Sequence, residues 1–205
     1  YDIGELRVQG GVTVTVDTAS ADTAWIGSLS GTGTVAVAGG RLVEIGGVMT
    51  TTGDDLTLDC ASVPLRVRSW KSAGTLRVTG ATGLKITAMD LSGTNTLAYA
   101  GTGPLLLSND TIRVSGVLNV VGNLSAVVSS FSMNPGSTLS LNLDTGGRDV
   151  QVSQFVGNGA LVKTGTGTLT VGSQVVAQGG VFTFAYDAFA NAVLPRVVLY
   201  GGGLN

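Results

Sequence analysis

The chain has 205 residues, enough to bury a substantial core or to stack many short units. Its net charge of −2 excludes a general basic field for nucleic acid, and the absence of histidine removes the commonest metal ligand and neutral-pH general base. One cysteine, Cys60, leaves no intramolecular disulfide and no cysteine-based zinc site, so a small buried hydrophobe is its expected role. Charged residues reach only 12%, the 32 glycines are roughly twice the usual share, and the 43% hydrophobic content never runs to the ~18 apolar residues of a membrane helix. Such a composition suits many short strands and no membrane insertion.

In chain order, the first residue is Tyr1 rather than methionine, from which a processed product or a fragment is expected. An apolar–polar–apolar triplet then returns from one end to the other. It reads Leu6-Arg7-Val8, Leu56-Thr57-Leu58, Leu65-Arg66-Val67, Leu76-Arg77-Val78 and Leu84-Lys85-Ile86. It continues as Ile112-Arg113-Val114, Leu118-Asn119-Val120, Leu139-Ser140-Leu141, Val150-Gln151-Val152 and Leu169-Thr170-Val171. Each triplet puts two apolar side chains on one face and a polar one on the other, as a half-buried strand requires. Gly, Ser, Thr, Asn and Asp fill the intervals and accept tight turns.

Strands this short bury nothing alone, and the same pattern keeps returning, which favours copies stacked along an axis. The expectation is an all-β, single-domain parallel β-helix (β-solenoid) with three strands and roughly 20–30 residues per coil. A β-sandwich is the alternative. Residues 1–180 are assigned to the coils. Residues 181–205 form an aromatic-rich cap or docking segment of the same domain, carrying Phe182, Phe184, Tyr186, Phe189 and Tyr200. Tyr186 to Leu194 reads as a short helix ended by Pro195. Open sheet edges at the ends of a solenoid invite pairing, so a protein partner or self-association through the C-terminal end is expected.

Short strings that imitate active sites each fail a physical check. Asp144-Thr145-Gly146 lacks the second carboxylate that shares a proton in aspartic proteases. Lys163-Thr164-Gly165 lacks the Ser-x-x-Lys that accompanies it in penicillin-binding enzymes. Asp54, Asp55 and Asp59 form an acidic cluster that could hydrolyse sugars or hold calcium, yet a solvated turn after Gly53 is the ordinary explanation. No catalytic residue, metal ligand or cofactor is assigned. Arg66, Arg68, Lys71, Arg77 and Lys85 place five cations within 20 positions, with Trp70 among them. If adjacent coils stack in register, these form a positive ridge on one wall, able to grip an acidic polysaccharide or a partner surface. The competing reading is a solvated face that discourages strand aggregation.

One stretch is specific enough to resemble a known family. Gly159-Ala160-Leu161-Val162-Lys163-Thr164-Gly165-Thr166-Gly167-Thr168-Leu169-Thr170-Val171 looks like the autotransporter-associated β-strand repeat, with its glycine, lysine and Thr-Leu-Thr positions in place. Leu29-Ser30-Gly31-Thr32-Gly33-Thr34-Val35-Ala36-Val37 is a looser echo. The resemblance covers about 13 residues and implies a right-handed β-helix passenger on a bacterial surface, serving adhesion or as a stalk. After Val171 the chain departs from the repeat, which leaves room for a phage spike, fibre or capsid decoration protein. A non-enzymatic structural or adhesive β-solenoid, extracellular or at the cell surface, is therefore the functional expectation. A virion surface protein is the alternative, and a polysaccharide-cleaving β-helix enzyme stands third.

Overall fold

A computed structural model describes residues 2–18, 23–52, 55–103, 105–107, 112–122, 127–128, 131–142, 150–164, 169–178, 181–184, 192–193, 197–200 and 203–204. Within these ranges, side-chain packing is described up to residue 121, apart from 52, 72, 73, 112 and 114. Every strand pairing among them is parallel, and no helix occurs among the described residues. The chain is a β-solenoid. The sandwich alternative fails because its hairpin-linked layers need antiparallel pairs.

Alternation within each strand sends every second side chain inward, and stacking places like upon like. One inner ladder climbs through Ile3, Ile26, Ile45, Val67, Ile86 and Leu107, five turns of 19 to 23 residues each. A second passes through Leu6, Leu29, Met49, Trp70 and Met89, and its backbone register continues to Ile112, Phe131 and Phe155. A third runs through Val14, Val35, Leu58, Val78 and Tyr99. From the second turn on, the described members of these ladders fill one continuous buried core, while Ile3, Leu6 and Val14 pack against it half-buried.

Three ladders per coil require the chain to bend between them. Long strands such as Leu42–Thr52, Leu65–Thr79 and Leu84–Ala100 run through these bends, where the pairing register slips. At one bend the stacked backbones approach so closely that only glycine fits. A Cβ on Gly27 would run into the carbonyl oxygen of Gly4, and one on Gly47 into that of Gly27. Turns stack on turns as well. Ala61 and Ser62 turn the chain with positive φ (42° and 72°), closed by the Val63 N–H donating to the Cys60 carbonyl at 2.8 Å. The N–H groups of Cys60 and Ser62 then donate to the carbonyls of Thr79 and Gly80 in the next coil, at 3.0 and 2.8 Å.

The few bulky polar side chains in the core each find a partner. Trp70 is fully buried and donates its indole N–H to Thr51 Oγ1 at 3.3 Å. Tyr99, also buried, donates its hydroxyl to the Gly103 carbonyl at 2.9 Å. Cys60 lies in the core, where burial first and the Asp59 carboxylate second push its thiol up to about 12.

Parallel pairing continues into the segment expected to cap the coils. Val181–Phe184 pairs with Ala160 and Leu161 on one side and with Gly203–Leu204 on the other. Val197–Tyr200 pairs with Val175 to Gln178. The short helix expected over 186–194 is corrected at Ala192–Val193, a strand paired with Leu169–Thr170. A helix satisfies its backbone internally, whereas a strand offers its N–H and C=O groups to the coil beneath. Phe182, Phe184 and Tyr200 therefore sit on strands; Tyr186 and Phe189, like the rest of that expected helix, lie outside the described residues.

Trp70→Ala removes the largest side chain of the core and is expected to cost about 3–5 kcal/mol, measured by chemical denaturation. Cys60 is expected to resist a thiol-labelling reagent at pH 8 in the native protein and to react at once in denaturant.

Candidate functional site

Parallel stacking aligns outward side chains as strictly as inward ones. The triplet Leu65-Arg66-Val67 lies directly on Leu84-Lys85-Ile86, so Arg66 and Lys85 stand one above the other on the outer wall. Leu56-Thr57-Leu58 lies on Leu76-Arg77-Val78, about half a coil away. Among these four, triplets adjacent in sequence occupy different walls and every second one stacks.

This divides the expected ridge. Arg66, Arg68 and Lys85 gather around a half-open depression of about 270 Å³, together with Glu44 and Thr87 and with Val67 turned inward beneath. Among the described residues, no ion pair holds any of these three cations. Arg77 is absent from the group. It stands in the column Thr57–Arg77–Ala98, and its guanidinium Nε donates to Asp55 Oδ2 at 2.7 Å. Lys71 stands in a third column, between Thr50 and Asp90. Trp70 belongs to no ridge at all, since it is 0% exposed. It starts a new stretch after the register slip opposite Gly46 and Gly47, and that slip turns it inward beneath Met49.

Among the described residues, the aromatic that does reach the surface is Trp25, at 40% exposure. It is the register partner of Glu44, which in turn is the partner of Arg66. The outer column therefore runs from Asp2 through Trp25, Glu44, Arg66 and Lys85 to Leu106. The Trp25 ring does not project but lies over Gly46, where a Cβ would collide with its Cζ2 and Cη2 atoms. Sequence reasoning missed Trp25 because it stands 41 residues before Arg66; its outward position, between inward Ala24 and Ile26, was the available signal.

No protein-family model matches the chain, and no curated protein or solved structure matches it either.

Of the acidic cluster, Asp54 lies outside the described residues. Asp55 is exposed and paired with Arg77, whose hydrogen bond, with a second from Thr75, holds its carboxyl below the ordinary value of 3.8. A carboxylate held ionised by a neighbouring guanidinium makes a poor proton donor, which argues against a general acid here. Asp59 follows the inward Leu58 and faces the turn at Gly80. Among the described residues, no three His, Cys, Asp or Glu side chains gather to hold a metal ion. Asp144 and Gly165 of the two mimic motifs lie outside the described residues.

Gly46→Ala is expected to lift the Trp25 ring from the wall, seen as a red shift and increased acrylamide quenching of its fluorescence. Asp55→Asn is expected to cost less than about 1 kcal/mol at pH 7, because both partners are about half exposed. The folded-state carboxyl is shifted downward, so its contribution is present above pH 3.8 and fades as pH falls below that value. Melting curves of the two proteins are expected to converge in acid.

Proposed function

We propose that this chain is a non-enzymatic structural or adhesive β-solenoid displayed outside the cell, a rigid stalk or surface-binding module. The observation that carries this reading is the parallel pairing of strand upon strand among the described residues, with register slips confined to the bends. A stack in which each coil is hydrogen-bonded to the next resists bending and spaces surface groups at a fixed interval. Its single thiol is buried and protonated, which suits an oxidising exterior. The resemblance of residues 159–171 to the autotransporter-associated β-strand repeat supports the same placement. In the structure that stretch runs from the end of strand Val150–Thr164 into Leu169–Gln178, which pairs with the start of the first.

The test is location and shape. Protease treatment of intact cells that make the protein is expected to release it into the medium while a cytosolic marker stays protected. Small-angle scattering of the purified chain is expected to show an elongated particle. Recovery inside a symmetric particle would replace this reading with a virion surface protein, and retention within protease-treated cells would overturn it.

A further inference from the structure

Four successive coils bring Trp25, Glu44, Arg66 and Lys85 into one outward column, although they are spread over 61 residues of sequence. At ~4.8 Å per coil the column spans about 14 Å, an oligomer-sized length. Beside it, Arg68 occupies the position facing Gly46 and Gly47, and Thr87 lies two residues beyond Lys85 on the next coil. We propose that this wall is a binding site for an acidic oligosaccharide, one bearing carboxylates, with Arg66, Arg68 and Lys85 gripping the acid groups and the Trp25 ring supporting a sugar face. The proposal rests on the reading of the chain as a displayed surface module and supplies its ligand class.

Five features select that ligand. The three cations are unpaired among the described residues, so they can engage a carboxylate without first breaking an ion pair. They stand on a chain whose net charge is −2, which makes this depression a local exception in sign. Glu44 among them can accept hydrogen bonds from hydroxyl groups, so a ligand carrying hydroxyls as well as acids suits this wall. Trp25 lies against the wall over Gly46 and is 40% exposed, so it offers a platform to a sugar ring, whereas a protein partner is usually anchored by side chains that enter pockets. The depression is half-open, so a polymer can lie along it without being enclosed.

The two tryptophans separate cleanly, since Trp70 is buried and Trp25 exposed, so quenching by acrylamide reports on Trp25. Polygalacturonate oligomers added to the whole chain are expected to protect Trp25 from quenching and to bind more weakly as salt rises. The Arg66→Gln/Arg68→Gln double variant is expected to weaken binding by at least about tenfold. Trp25→Ala, followed by calorimetry, is expected to weaken it several-fold, while Arg113→Gln, outside this column, leaves it unchanged. Circular dichroism and scattering of each variant check that the solenoid is intact. An intact solenoid that binds no polygalacturonate, or binds it equally well after Arg66 and Arg68 are replaced, overturns the site and leaves the stalk reading standing. Equal binding of polyglutamate would assign the wall to an acidic polypeptide and likewise overturn the saccharide. Failure of the stalk reading itself shows separately, as loss of surface exposure or a compact scattering profile.

Discussion

Everything in this molecule depends on one constraint: each coil must present its backbone N–H and C=O groups to the coil above and below, in register and in parallel. That condition ties each residue to the one about a coil later, at the inter-strand spacing of ~4.8 Å. An inward position then sees the same neighbour type on both sides, which is why isoleucine and valine stack on isoleucine and valine from Ile3 to Ile86. Branched side chains suit the ladder because their restricted rotamers pack on the pleated surface with little further loss of freedom. The same tie forbids side chains where backbones converge, as at Gly27 and Gly47.

Among the described residues, few polar side chains enter the interior, and on strict terms. Asn95 is buried between the second and third ladders, where its Nδ2 donates to the carbonyls of Ser92 and Gly93 at 3.0 and 3.4 Å. Those two bonds hold the bend at Gly93, whose positive φ of 67° departs from the strand conformation. Its Oδ1 is buried with no protein partner, so the bend is held at the expense of one unsatisfied acceptor. Thr18 meets the same problem at an earlier turn, and its hydroxyl donates to the Ala38 carbonyl in the next coil at 3.1 Å. Coil-to-coil bonding therefore extends from the strands into the side chains of the turns.

On the outside, register acts without the demand for burial, and composition can vary freely. A column there mixes an aromatic ring, a carboxylate and two cations, and the neighbouring wall sets Arg77 against Asp55 across a coil. Residues far apart in the chain meet along the axis, while residues close in the chain are sent to different walls. A solenoid of this kind can accumulate a binding surface by single substitutions spaced a coil apart, with the core ladders undisturbed. The uniform interval also fixes the spacing of that surface, which a polymer with its own repeat can match.

The stacked architecture was legible in the sequence because two-residue alternation and recurring triplets are local properties, readable without knowing what lies above or below. The burial of Cys60 was legible for the same reason, from its apolar neighbours. Which triplets stack was not legible: Leu65-Arg66-Val67 and Leu76-Arg77-Val78 look alike, yet the length of one coil, about 20 residues, puts them on different walls and removes Arg77 from the ridge. Nor was the exchange of tryptophans, in which Trp70 turns into the core after a register slip at the glycine pair while Trp25 lies outside on Gly46. The sequence by itself determined that each short strand has an inner and an outer face and that the strands repeat. Only the tertiary structure decided which outer faces align, because alignment is set by coil length and by the slips at the bends, and both are properties of the closed turn rather than of any strand within it.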